Sequence, residues 1–132
     1  MKQLFSKEAR WQINSIEYKK NQQDEKAENI RLSVSPLDNI QISERTETEV
    51  CFSVCRKITT SPTVYELSID TLISIKFLCE ESSSNLSDNE IIAEFKEQCG
   101  NMLSNLMAKI SLLVAEITGA EGIPVVTPPV LL

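Results

Sequence analysis

Four cysteines, at positions 51, 55, 79 and 99, are the residues of this sequence best suited to metal binding or disulfide formation. On one extended strand, Cys51 and Cys55 would point to the same side. They would lie about 13 Å apart at about 3.3 Å per residue, too far for one metal ion or one disulfide without a bend. Histidine, the commonest zinc ligand and general base, is absent. We therefore expect four reduced cysteines that act as small apolar side chains, and no metal site.

The acidic side chains do not indicate catalysis. Glu80 and Glu81 are adjacent, but paired acids need a concave, desolvated site to shift their pKa values, and nothing in the sequence indicates one. The glycines, at positions 100, 119 and 122, form no phosphate-binding loop. The net charge of −6 argues against nucleic acid as a partner, because no Lys/Arg stripe is present to displace counterions from phosphate. We expect neither an enzyme nor a cofactor.

The length and composition are those of a soluble globular protein. The chain has 132 residues, of which 42% are hydrophobic and 24% charged, and this fits a single domain spanning 1–132. Residues 1–16 include Lys2, Lys7 and Glu8 and hold no apolar signal core. No run reaches the ~18 apolar residues that span a bilayer. We expect a cytoplasmic protein without membrane insertion.

Strand patterns fill the first part of the chain. Apolar and polar residues alternate almost without interruption over 63–79, which indicates an antiparallel sheet with one buried and one wetted face. Similar patterns cover 9–20 and 50–59. A further pattern over 30–42 is interrupted at Pro36, so that it is either one broken strand or a crossing loop.

The start of the chain carries an irregularity. Residues 1–7 read as a polar lead before the first strand. Within that strand the apolar parity changes near Asn14 and Ser15, which indicates either a β-bulge or a strand whose two faces are both covered in an oligomer.

Two predicted helices follow the strands. Ser87, with Glu90 three residues later, forms a capping box that opens a short helix over 88–98. A longer helix starts at Cys99 and ends at Gly119, which can adopt positive φ. Apolar residues recur along it at spacings of one, three and four, and core and oligomer-interface packing explains this stripe better than a ligand groove. The stripe consists of Met102, Leu103, Leu106, Met107, Ile110, Leu113, Val114 and Ile117.

The last ten residues, IPVVTPPVLL, are apolar, uncharged and interrupted by Pro124, Pro128 and Pro129. Because proline cannot donate to a hydrogen-bond ladder, this segment should be an extended, irregular strap. Two interpretations are open. The strap is either a wall that contacts a ligand, or a tail that seals the core or a seam between subunits.

A chain in which the strands precede the helices is typical of an α+β fold. We predict a four-stranded antiparallel sheet followed by a short helix and a long packing helix. A sheet this wide and a helix this apolar have more apolar surface than one protomer can bury. The sequence therefore predicts an oligomer with helices packed between sheets.

The segment QCGNMLSNLMAKISLLVAEITGAEGIPVVTPPVL resembles the C-terminal half of the SecB-type protein-export chaperones. In that family a Cys-x-x-x-Leu segment opens a long helix, the helix ends in a glycine, and a proline-bearing apolar loop follows. Cys99, Leu103, Gly119, Pro124 and the pair Pro128–Pro129 match that order. The preceding strands also match the family's order of elements, so the resemblance covers nearly the whole chain and is specific over Cys99–Leu132.

The resemblance implies a homotetramer, a dimer of dimers, that holds unfolded or nascent polypeptides in apolar grooves without ATP. It also implies that these grooves are lined by the strap and by the crossing segment between the first two strands. Carried onto this sequence, the implied client-binding residues are Leu37, Ile40, Ile42, Ile123, Val125, Val126, Pro128 and Val130.

The biological role stays open between three alternatives. Members of the family continue into a further helix and a tail that docks a SecA-type motor, whereas this sequence ends at Leu132. General protein export with such a motor and service to a dedicated client, such as a toxin–antitoxin pair, are both compatible with the resemblance. An adaptor or scaffold that binds one folded partner is the alternative from a different functional class.

Overall fold

The computed structural model describes residues 3–20, 33–61, 65–78, 85–120 and 125–131. Within these ranges a four-stranded antiparallel sheet with strand order β1-β4-β3-β2 is followed by two helices, which confirms the predicted α+β fold. The elements are β1 (Phe5–Lys20), β2 (Ser33–Arg45), β3 (Glu49–Ser61), β4 (Tyr65–Phe77), α1 (Asp88–Gln98) and α2 (Gly100–Gly119).

One face of the sheet is buried and the other is partly open, as the alternation in β4 predicts. Phe52 pairs with Ile73, and Val54 with Thr71, and all four side chains are fully buried beneath the helices. Their neighbours along each strand, among them Asp70, lie on the opposite face. There the Asp70 carboxylate accepts hydrogen bonds from Ser53 Oγ at 2.8 Å and Asn14 Nδ2 at 3.1 Å. Within the described residues the core therefore lies on the helix side of the sheet.

The change of parity in β1 is a β-bulge. Ile13 pairs with Thr71 and Ser15 with Asp70, so that Asn14 is the extra residue. Because the bulge resets the alternation, the apolar residues before and after it all point to the buried face of the sheet.

The predicted polar lead over 1–7 is wrong, because β1 begins at Phe5 and both Leu4 and Phe5 are buried. The Phe5 ring lies 5.7 Å from the Phe95 ring and 5.8 Å from the Phe77 ring, and Phe52 stacks on Phe95 at 4.2 Å. All four phenylalanines of the chain thus form one aromatic cluster. The polar residues after Phe5 and the register shift before Ala9 conceal this start in the sequence.

Strand β2 is continuous through Pro36 and is not a crossing loop. Pro36 is tolerated because β2 is an edge strand, so that its missing N–H does not interrupt the sheet. The residues of the expected strand start, 30–32, lie outside the described residues. Strands β1 and β2 occupy opposite edges of the sheet.

Helix α1 begins at the predicted capping box. Ser87 Oγ accepts from the Glu90 N–H at 3.2 Å, and the Glu90 carboxylate accepts from the Ser87 N–H at 3.5 Å. Replacement of Ser87 by Ala should lower the free energy of unfolding by about 1 kcal/mol, because an N-terminal amide of the helix loses its acceptor. Urea denaturation would measure this difference, and Ser104→Ala, at an exposed position within α2, is the matched control.

Helix α2 packs its stripe against the buried face of the sheet. Leu103, Leu106, Met107, Ile110 and Val114 are buried, while Met102, Leu113 and Ile117 are partly buried against the same core. The helix ends at Gly119, as predicted, but Gly119 is itself helical and the cap residue Ala120 keeps φ −63°.

By length and composition alone α2 is also apolar enough to cross a membrane. Its 18-residue window has a mean hydropathy of 1.2, and 33% of that window is buried. The core helix of a globular protein meets the same criterion. Packing of the stripe on the sheet is the arrangement that the structure shows, and Leu112, on another side of the helix, is 64% exposed.

Candidate functional site

The described part of the strap, residues 125–131, lies on the helix side of the sheet, with some side chains directed inward and others exposed. Thr127 is buried, and Val125 and Leu131 pack against the core. Val126 is 88% exposed and Val130 49% exposed. The two interpretations of the strap therefore both describe part of it, because the same segment seals the core and presents apolar side chains outward.

One buried ion pair holds the strap in place. Arg56 of β3 and Asp38 of β2 are directly paired across the two strands, and both side chains are 0% exposed. The guanidinium donates from Nε to Asp38 Oδ1 at 2.6 Å and from Nη2 to Asp38 Oδ2 at 2.7 Å. This bidentate geometry satisfies both charges in a site that water does not reach.

The remaining donors of Arg56 bind the strap. Nη1 donates to the Pro128 carbonyl at 2.6 Å and to Thr127 Oγ1 at 3.0 Å, while Nη2 donates to the Val130 carbonyl at 2.7 Å. The guanidinium has donors in a fixed plane, which lets one side chain bind a carboxylate and a backbone segment together. We name the pair Arg56–Asp38 the strap clamp.

Helix α2 contributes two hydroxyls to the same attachment. Ser111 Oγ donates to the Pro128 carbonyl at 3.1 Å, and Thr118 Oγ1 accepts from the Val125 N–H at 2.7 Å. Ser111 and Thr118 are two helical turns apart and therefore lie on one side of the helix. The strap is thus hydrogen-bonded to β3 and α2 directly, and it is linked to β2 through the Arg56–Asp38 pair.

The predicted client-binding residues are not all brought together. Val126, Pro128 and Val130 are exposed on the strap. Ile40 and Ile42 lie on the helix side of β2 and, like Val125, pack against the core. Leu37 pairs with Lys57 and is exposed on the opposite face of the sheet, and Ile123 lies outside the described residues. Of the predicted residues that the structure describes, only those of the strap are exposed together on one segment.

A second apolar surface lies at the opposite edge of the sheet. Trp11 of β1 and one side of α2 enclose a groove of about 620 Å³, and Lys109 Nζ lies 4.9 Å from the centre of the Trp11 ring. Ile13 and Ile16 continue this surface along β1 on the same face as Trp11. We call it the Trp11 groove, and its lining residues are Trp11, Met102, Asn105, Leu106, Ala108, Lys109 and Leu112.

The cysteines of the described ranges are separate thiols. Cys51, Cys55 and Cys99 are free and partly buried, and Cys79 lies outside the described residues. Burial raises the pKa of the Cys99 thiol at the junction of α1 and α2. A raised pKa keeps this thiol protonated at neutral pH and lowers its reactivity.

Sequence reasoning missed both the strap clamp and the Trp11 groove. A signal for the clamp was present, because Arg56 and Asp38 each occupy a position whose strand neighbours of the same parity are apolar. Opposite charges at two inward positions indicate a buried pair. The groove had no comparable signal, because the bulge at Asn14 accounts for the change of parity and leaves the apolar residues of β1 on one face of the sheet.

No protein-family model and no curated protein matches the sequence. Among solved structures, the chain is similar to the Mycobacterium tuberculosis Rv1957 SecB-like chaperone in complex with a ChAD peptide from the Rv1956 HigA1 antitoxin. The TM-score is 0.63 at 10% sequence identity, covering 96% of this chain and 87% of that chain. A protein of unknown function from Streptococcus agalactiae aligns at a TM-score of 0.45 and 15% identity, covering 92% of this chain and 97% of that one, which is too low to argue a shared fold. The chain has a SecB-like fold.

Proposed function

We propose that this protein is an ATP-independent chaperone of the cytoplasm that holds unfolded polypeptides. The observation that carries the proposal is the strap, on which Val126 and Val130 are exposed while the backbone is anchored to buried polar groups. Apolar side chains of a client that cover these valines would gain roughly 25 cal/mol per Å² of buried apolar surface. Such contacts select for hydrophobicity rather than for one sequence, as a holding chaperone requires.

The shared fold supports polypeptide binding. The mycobacterial SecB-like chaperone was solved with a peptide of an antitoxin bound. A dedicated client of that kind and general export with a SecA-type motor are the two roles that we propose to distinguish by client range. The proposed activity involves no catalytic step.

The Trp11 groove supports the homo-oligomeric part of the proposal. An edge strand of 16 residues with tryptophan and isoleucine on one face is prone to pair with another chain. A second copy related by a two-fold axis would bring β1 against β1 and cover the groove, and Leu112, which is 64% exposed, would be buried with it. Two such dimers with their helices between the sheets make the proposed tetramer.

Light scattering and an aggregation assay on the purified protein test the proposed function. We expect a mass of four chains and suppressed aggregation of an unrelated denatured protein in the absence of ATP. A protein that binds one folded partner and leaves denatured proteins to aggregate would contradict the proposal and favour an adaptor.

The oligomer has its own test in Trp11→Lys combined with Ile16→Lys. Burial of one large apolar side chain contributes roughly 1.5–3 kcal/mol, and a two-fold interface counts each residue twice. We expect the double variant to remain folded and to lose at least half of its mass in solution. Leu78→Lys, at an exposed position at the end of β4, is the control that should keep the native mass. A native mass in the double variant would contradict the proposal that the Trp11 groove is a subunit interface.

A further inference from the structure

The strap has an unusual requirement for anchoring. Pro128 and Pro129 have no N–H, so this part of the strap cannot donate to a neighbouring strand, and its carbonyl groups are what remains for attachment. A side chain with several donors and no acceptor is therefore the suitable partner. Arg56 meets this requirement, because its guanidinium binds the carbonyls of Pro128 and Val130 and the hydroxyl of Thr127.

A fully buried arginine in turn requires a counter-charge. Asp38 supplies it from the adjacent position on β2, through two hydrogen bonds of 2.6 Å and 2.7 Å. Both partners belong to the sheet, which the core holds rigid. The guanidinium of Arg56 therefore fixes the strap backbone relative to the sheet. The side chains that the strap directs outward are fixed with it.

We propose that the strap clamp, Arg56 with Asp38, positions Val126 and Val130 for client binding. This inference rests on the proposed function and adds the residues that prepare the binding surface. A strap that is already ordered in the free protein loses little conformational entropy when a client binds, and more of the contact energy contributes to affinity. Arg56 and Asp38 are positioning residues, since neither side chain is accessible to a client.

A purely structural role for the clamp makes a different prediction. If Arg56 and Asp38 only stabilised the fold, their joint replacement would change the melting temperature and leave client affinity unchanged at temperatures where the protein is folded. If they position the strap, affinity falls even in a folded variant. Replacing both partners at once avoids leaving one buried charge unpaired.

The experiment compares the native chain with the double variant Arg56→Met, Asp38→Val. The probe is fluorescently labelled, reduced and carboxymethylated α-lactalbumin, a permanently unfolded chain. We expect a native mass, faster hydrogen exchange at the amides of residues 125–127, and a dissociation constant roughly tenfold higher than the native one. Native exchange and native affinity in a folded double variant would overturn the inference. If the double variant does not fold, Arg56→Lys carries the test, because lysine keeps the charge but lacks the planar set of donors.

A disulfide rescue separates positioning from general stability. Ser111 Oγ and Thr127 Oγ1 are 3.1 Å apart, so cysteines at these two positions in the clamp-free background should form a bond that ties the strap to α2. Oxidation should restore client affinity, and reduction should remove it again. The single Ser111→Cys variant in the same background is the control. An oxidised, folded protein that still binds weakly would overturn the positioning role. Absence of client binding by the native chain would instead overturn the proposed function and this inference with it.

Discussion

Replacement of Val126 and Val130 by Asp is expected to abolish suppression of client aggregation while leaving the oligomer and the melting temperature unchanged. Val126 is 88% exposed and Val130 49% exposed, so neither substitution buries a charge within one protomer. Each carboxylate would have to be desolvated when an apolar client segment covers it, at a cost of several kcal/mol. We therefore expect client affinity to fall by at least about a hundredfold, which corresponds to roughly 2.8 kcal/mol.

Val125 should stay native in this test. It packs against the core, and its N–H donates to Thr118 Oγ1 at 2.7 Å, so an aspartate there would disturb the attachment of the strap as well as its surface. Leu78→Asp is the control for a surface carboxylate, because Leu78 is 53% exposed at the end of β4 and receives one of the two charges that the strap variant receives. Undiminished holding by the strap variant, or an equal loss in the Leu78 variant, would contradict the assignment of the strap as the client-binding surface.

The periodic parts of the chain could be predicted from the sequence. Alternation in β4 and the capping box at Ser87 are local patterns with a direct physical cause, and both elements lie where those patterns indicate. The bulge at Asn14 was one of two explanations for the change of parity, and only the register with β4 decides between them. Short-range patterns thus identified the strands and helices, but they did not determine which strands pair or in which register.

The attachment of the strap could not be predicted in the same way. Arg56 and Thr127 are 71 residues apart, and their hydrogen bond depends on how β3, α2 and the strap pack in three dimensions. The prolines predicted a strap without regular secondary structure, and residues 125–131 have none. Composition does not tell which of its side chains face outward. The burial of Phe5 could not be predicted for a related reason. It depends on rings contributed by β3, β4 and α1 rather than on the neighbours of Phe5 in the sequence.

The two faces of α2 provide the final prediction, in which position on one helix decides between unfolding and disassembly. Leu106 and Ile110 are 2% and 1% exposed, so Leu106→Asp with Ile110→Asp places two carboxylates in the core without partners. Each change should lower the free energy of unfolding by about 4 kcal/mol or more. The two together would remove much of the roughly 5–15 kcal/mol that stabilises a typical domain.

We expect the Leu106, Ile110 double variant to show no cooperative thermal transition by circular dichroism. Leu112→Asp, at the exposed side of the same helix, should keep that transition and lose mass in light scattering, because Leu112 lines the Trp11 groove. A folded, fully assembled double variant would refute the packing of α2 on the sheet. If the Leu112 variant keeps the native mass, this side of α2 does not belong to the subunit interface, and β1 alone would form it.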